Sequence, residues 1–500
     1  MQSDSQKVSL REKIGYSLGD SSANFVFQLM IVFQLGFYTD VFGISAVAAG
    51  TLLLVGRFWD AFFDPMMGII ADRTNTRWGK YRPWILWSAV PFAFFFILAF
   101  TTPDFSHSGK LIYAYVSYFL LMTIYSVNNT PYAALHGVIT SDIKERTSIS
   151  SIRFICAMGA AFLVQGLTLP LVSLFGHDKF GKINQQKGWA MAVGVFALIS
   201  IVFFVIAFLS SRERIKPNPE QKSDAKQDFK DLAKNKPWLS MFILTLFIFI
   251  TLALWGSGMY YFFSYYLDKD SLFGFLKSFG LVNVTGEING WWHKILDSFG
   301  LIAKIDRSNV FNVGFSFFNM SGQIVTIIGV IFSKFLAMRF GKKNVFIVGL
   351  SLTTLFTALF IFIPANNVGL AFSLNVLKSL AYGPTIPLLW AMMGDVADYS
   401  EWKTHRRATG FIFAGIVFAL KAGLGFGGAI CGWILGTFGY VKDVVPDHTV
   451  LLGIRLSSSL FPAFTFLIGV IALFTYGITK KFNEQMQAEL TERRKSLGMN

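Results

Sequence analysis

The chain has 500 residues, of which 53% are hydrophobic and only 15% charged, with 55 phenylalanines and a formal net charge of +15. That balance excludes a soluble globular domain and points to a polytopic membrane protein. The positive charge does not imply nucleic acid: Lys and Arg fall between apolar runs, as in loops beside anionic lipid, and not along one polar face.

The opening MQSDSQKVSLREK is polar and lacks the short apolar core and small-residue cleavage site of a signal peptide, so the first membrane helix is expected to be retained. Runs long enough to cross about 30 Å of hydrocarbon lie near 14–38, 44–71, 84–102, 111–137, 148–175 and 189–210. The stretch SRERIKPNPEQKSDAKQDFKDLAKNKP has no apolar periodicity and reads as a solvated linker with room for one short amphipathic helix. Further runs lie near 238–267, 309–336, 343–364, 368–393, 408–436 and 455–479. The expected plan is an all-α membrane protein of twelve transmembrane helices. A six-helix bundle spans 12–210, a linker 211–237, a second six-helix bundle 238–480 with an extracytoplasmic insertion at 268–308, and a tail 481–500.

Basic residues set the orientation. Arg73, Arg77, Lys80 and Arg82 follow the second run and Lys334, Arg339, Lys342 and Lys343 the eighth, whereas YTDVFGIS and PANNVG carry none. Both termini and the linker are therefore expected in the cytoplasm. RWGKYRPWIL after the second run is echoed by RFGKKNVFIV after the eighth. Duplicated six-helix halves with a midplane site between them are the major facilitator plan.

Chemistry concentrates in the second run. Arg57, Asp60 and Asp64 stand at i, i+3 and i+7, which puts all three on one helical face. Charges at membrane depth cost at least a few kcal/mol each, so this face should meet a protein interior or a water-filled path for an ion or substrate. The plainer reading is an ion pair that locks helices, but one arginine cannot neutralise two carboxylates. Carboxylates bind a hard cation or, when desolvated, can carry a proton.

WDAFFDPMMGIIADRTNTRWGKYRPW, with Asp64 followed by Pro65, resembles the helix-two signature of the glycoside-pentoside-hexuronide:cation symporters, the melibiose-carrier family of the major facilitator superfamily. GDVADYSEWKTHRRATG (Gly394 to Gly410), SLGDSSANF and YTDVFG resemble other segments of that family, and the likeness runs from about Lys13 to Phe482. The resemblance implies that Asp60 and Asp64 are the cation-coupling carboxylates, and that Arg57, the helix-five Arg153 and the helix-eleven Lys421 match the family's basic residues. Lys421 as a helix-packing cation is the plainer alternative.

The chain departs from the family's galactoside carriers at their sugar site. Asn24 and Asn129 stand where those carriers have acidic residues, with Asp20 one turn before Asn24, and Ala133 replaces a tryptophan. Phe63 takes the place of an amide oxygen, leaving a shell poor in oxygen, which favours a proton over sodium as the coupling cation. Fewer anionic neighbours around Arg153 and Lys421 suit a sugar bearing a carboxylate or sulfonate, with neutral glycosides still open. The expected substrate site is Asp20, Asn24, Tyr125, Asn129, Arg153 and Lys421; Tyr125 and Asn129, at i and i+4, share a face. Asp72, Arg73, Lys80, Arg82, Asp395, Asp398 and Arg406 are expected to form closing ion pairs in the outward-open state, or else only to set topology.

Other features read plainly. Gly415, Gly423, Gly425, Gly427, Gly428 and Gly432 let the eleventh helix approach a neighbour. The six histidines are scattered without ligand spacing, and Cys156 and Cys431 read as free thiols, so no metal or cofactor is expected. In the insertion, Trp291, Trp292, Ile295, Leu296 and Phe299 fit an amphipathic helix resting on the outer interface, or a lid. The expected function is cation-coupled symport of a sugar or glycoside by alternating access, by a monomer in a bacterial inner membrane. Sodium coupling is the alternative, and a membrane-embedded enzyme acting on lipid-linked sugars is the competing class, although such an enzyme has no need of duplicated halves.

Overall fold

The computed structural model describes residues 7–140, 142–177, 184–215, 232, 234–283, 290–404 and 409–496. Among these residues all regular structure is helical, the arrangement by which a chain in hydrocarbon satisfies its own backbone groups. Helix α1 (Leu10–Val32) begins at Ser9, whose hydroxyl accepts from the Glu12 amide. The chain then bends by 61° at Phe33 and continues to Phe42. There the winding widens: the Gly43 amide donates to the Tyr38 carbonyl, five residues back, at 3.0 Å. Gly43 takes a φ of +86°, which a residue with a Cβ rarely adopts.

Helices α2 (Ala46–Arg73), α3 (Arg82–Ala99), α4 (His107–Ile139), α5 (Ile143–Gly176) and α6 (Gln185–Ser210) complete the first half of the chain. Here α1 packs on α5 and α6, α3 on α4 and α6, and α2 on α4. The second half opens with α7 (Lys236–Tyr261), which widens over 262–266. Two short helices follow, α8 (Lys269–Ser278) and α9 (Trp291–Ser298). The long helices resume with α10 (Val310–Phe340), α11 (Lys342–Leu359), α12 (Val368–Tyr382), α13 (Thr385–Thr404), α14 (Thr409–Thr437), α15 (His448–Ser457) and α16 (Leu460–Thr475). In this half α7 packs on α14 and α16, and α12 on α10 and α11.

Among the described residues, ten helical segments are long and apolar enough to cross a membrane, and the bent segment from Leu10 to Phe42 makes eleven. The run expected at 368–393 is divided into α12 and α13 at Gly383 and Pro384. Proline cannot continue the helix ladder, and the break is held by α10, where Ser333 donates to the Pro384 carbonyl at 2.9 Å.

The two halves meet along α2 and α14 and along α5 and α10. Glycine makes the first seam possible. A Cβ on Gly432 would lie 2.4 Å from the Ala46 carbonyl, and one on Gly50 would lie 2.9 Å from that of Ala429. On its other side α14 presents Gly427, where a Cβ would lie 2.3 Å from the Ile250 carbonyl of α7. The glycines expected to serve close approach thus do so on both sides of the helix.

In the insertion, α9 is helical as its spacing suggests, with Trp291 72% and Trp292 55% exposed. The segment after it reaches the first half, since Lys304 Nζ lies 2.5 Å from His177 Nε2. The C-terminal segment forms a helix, α17 (Lys480–Ser496), tied to α13 by Trp402 Nε1 donating to Glu489 at 2.6 Å.

Candidate functional site

The face read from the second run is a face of α2, and it turns toward α4 and α14. Arg57 and Asp60 are buried, 5% and 0% exposed. Arg57 Nη1 lies 3.2 Å from Asp60 Oδ2. Lys421, reaching across from α14, forms an ion pair with Asp64 and stands 3.6 Å from Asp60 Oδ2. Two carboxylates therefore face two cations, and the charge imbalance that the sequence poses is resolved by a residue of the other half. Two hydroxyls of α4 complete the cluster: Ser126 donates to Asp60 Oδ1 at 3.2 Å and Thr130 to Asp64 Oδ1 at 3.4 Å. Ser126 and Thr130, at i and i+4, share a face of α4, but only the packing of α4 on α2 brings them to the carboxylates.

Burial tells the two carboxylates apart. Asp60 has no exposed surface, whereas the Asp64 side chain keeps 25% of its own and that of Lys421 keeps 12%. Asp64 is thus the more accessible of the two carboxylates, and Lys421 is the cation paired with it. Phe63 stacks on Trp59 with ring centroids 5.9 Å apart, so the flank beside Asp64 is apolar.

A second cluster joins α1 and α5. Arg153 Nη2 lies 3.4 Å from Asp20 Oδ1. Its guanidinium also lies 5.6 and 5.2 Å from the ring centroids of Tyr16 and Tyr132, which are themselves stacked at 4.6 Å. Each tyrosine hydroxyl donates to the other's backbone carbonyl, at 2.9 and 2.8 Å. This platform fixes Arg153 by stacking, which an arginine does well. Asn24 turns its amide back to the Asp20 carbonyl at 2.9 Å. Asn129 is partly buried on α4, and Tyr125, one turn before it, is 7% exposed and packed on Phe92 at 6.3 Å between centroids. In this arrangement the Tyr125 ring face is covered.

The expected substrate residues therefore divide. Asp20, Asn24 and Arg153 come together, Lys421 joins the carboxylates of α2, and Tyr125 enters the packing of α3 and α4. Five of the expected gating residues have partners in their own half. Asp72 accepts from the Tyr81 hydroxyl at 2.7 Å, and Arg82 donates to the Phe208 carbonyl at 2.8 Å. The backbone amide of Lys80 donates to Glu213 at 2.9 Å. Asp395 pairs with Lys342 at 2.7 Å, and Asp398 accepts from Gln487 at 2.7 Å. Arg73 is exposed, and Arg406 lies outside the described residues.

One polar knot has no counterpart among the residues that the sequence singles out. Asp40, at the far end of the first membrane segment, accepts from Tyr440 at 2.5 Å and from Tyr265 at 3.0 Å, and Thr39 beside it lies 2.7 Å from the Tyr261 hydroxyl. All three tyrosines belong to the second half. A carboxylate in the short YTDVFG connection is the available signal.

A profile of the MFS/sugar transport protein family matches residues 15–300 and 309–480. The inner membrane symporter YicJ of Escherichia coli strain K12 is 33% identical over 95% of this chain and 93% of its own length. The isoprimeverose transporter of Lactiplantibacillus pentosus is 31% identical over 96% of this chain and 91% of its own. Among solved structures, the nucleoside transporter NupG superposes with a TM-score of 0.55 at 14% identity, covering 93% of this chain and 99% of that one.

Proposed function

The chain belongs to the MFS/sugar transport protein family, a family of multi-pass membrane transporters and not of enzymes, and from that premise we propose that it is a cation-coupled symporter of a sugar or glycoside in a bacterial inner membrane. Its relatives are named as a symporter and as a carrier of isoprimeverose. The observation that carries the coupling is the ion pair of Lys421 with Asp64 across the two halves.

With no coupling cation bound, Lys421 stands in for it and holds α14 to α2. A proton arriving at Asp64 removes the charge that Lys421 answers, loosens that tie and frees the halves to rock about a midplane substrate site. Asp60, held by Arg57 and Ser126, stands 3.6 Å from Lys421 and keeps it within reach. The proton is preferred to sodium because the Lys421 ammonium and the stacked Phe63 ring lie beside Asp64, with the Thr130 hydroxyl adding a single oxygen for a hard cation. Asp20, Asn24, Asn129 and Arg153 form the sugar side of the site. We read the chain as twelve crossings with both termini in the cytoplasm, the broken pair α12 and α13 counting as the tenth.

Proteoliposomes test this. A pH gradient should drive accumulation of a transported glycoside, and Asp64→Asn should abolish accumulation while leaving downhill exchange. Accumulation driven by a sodium gradient and indifferent to pH would contradict proton coupling; the same accumulation by Asp64→Asn would contradict the site.

A further inference from the structure

Lys378 sits in the run SLNVLKSLAY of α12, ten residues and therefore about 15 Å along the helix from Val368. No carboxylate lies within ion-pair distance of it among the described residues. Its ammonium instead lies over the ring of Trp255 of α7, 2.8 Å from the centroid. Trp255 in turn packs on Phe318 of α10 at 6.1 Å and on Phe360, just past α11, at 5.9 Å.

This aromatic wall holds the ammonium in part through a cation–π contact. Lys378 is partly exposed, and the ring contact does not use up the hydrogen-bonding capacity of its ammonium, so an anion can still be received there. The ring beneath it carries a buried donor of its own: Trp255 Nε1 has no hydrogen-bond partner. Buried donors of native proteins are almost always satisfied, so an indole N–H without an acceptor beside an unpaired ammonium calls for an explanation.

The remaining cations near the centre are already answered, Lys421 by Asp64 and Arg153 by Asp20. The geometry points to Lys378 and Trp255 as a binding site in the second half for the acidic group of the transported glycoside, a carboxylate or sulfonate. It rests on the symport reading and names the substrate class. Trp255 holds the ammonium in the absence of substrate, and the incoming oxyanion takes Lys378 from the ring while its second oxygen accepts from the indole N–H.

Binding of phenyl β-glucuronide and phenyl β-glucoside to the purified full-length carrier tests this pair of residues. The wild type should prefer the glucuronide. Lys378→Met should weaken glucuronide binding roughly 10- to 100-fold, the range for a hydrogen bond to a charged group, and leave the glucoside unchanged. Lys378→Arg should restore part of the preference. If Lys378→Met does not fold, Trp255→Phe serves instead, since it keeps the ring and removes the indole donor; it too should weaken the glucuronide alone. A wild type that binds both sugars alike, or fails to bind the glucuronide, overturns the site, as does equal loss for both sugars in the variants. Cation-driven accumulation of the glucoside in that case leaves the symport reading standing, whereas its absence for every glycoside brings down the symport reading itself.

Discussion

The two ends of the molecule are tied differently. Where α1 and α7 finish, hydrogen bonds cross between the halves: Asp40 accepts from Tyr265 and Tyr440, Thr39 meets Tyr261, and Trp433 donates to Thr51 at 3.1 Å. Where α1 and α7 begin, the pairs seen among the described residues lie inside one half: Glu12 with Arg214 at 2.7 Å, Lys13 with Glu145 at 3.0 Å, and Asp395 with Lys342 at 2.7 Å. The first set clamps the halves together and the second keeps each half rigid. A rocking carrier needs both, because a rigid half transmits a local change at Asp64 to its far ends.

Gly432→Leu should have the largest effect on this contrast. A side chain there has no room beside the Ala46 carbonyl, so the clamped end cannot close and uptake should fall to background. Spin labels at Ser45 and Val444, both exposed at that end, should report only long distances; an unchanged short distance would show that the seam tolerates the bulk.

Asp40→Asn should be milder. It removes the charge from two charge-assisted hydrogen bonds, each of the kind that contributes about 1.5 to 3 kcal/mol, and should add a long-distance population to the same spin-label measurement without eliminating the short one. No new population would mean that the tyrosines pack but do not latch.

Lys342→Gln breaks a pair inside one half. Its lysine is 35% exposed, so a loss of about 1 kcal/mol or less is expected. Thermal unfolding should register it while the Ser45 to Val444 distances stay fixed; a change in those distances would remove the distinction between the two ends. Smallest of all is Arg307→Ala, which deletes an exposed pair with Asp270 and should leave both stability and uptake within error.

How far these features are legible in the sequence depends on sequence distance. Arg57, Asp60 and Asp64 are legible because three residues of one helix reveal a shared face through the 3.6-residue repeat. Lys421 is 357 positions from Asp64, and only the family likeness brings it to the same site. The glycines of α14 are legible as packing residues, although not which helix each one meets. Asp40, Tyr265 and Tyr440 come from three separate connections, and nothing in their local patterns joins them. Lys378 carries a signal that the search for shared helical faces misses: a lone lysine in an apolar run marks function by the same rule that singles out the carboxylates. The break at Gly383 and Pro384 is hidden because the apolar run continues across it.

If Lys421 and the coupling proton compete for Asp64, infrared difference spectroscopy on glycoside binding should reveal it most directly. At neutral pH the wild type should gain a protonated-carboxyl C=O band when the glycoside binds, and Asp64→Asn should lack that band while still binding sugar. A band that survives in Asp64→Asn, or a wild type that binds glycoside with no change in carboxyl protonation, would contradict the account.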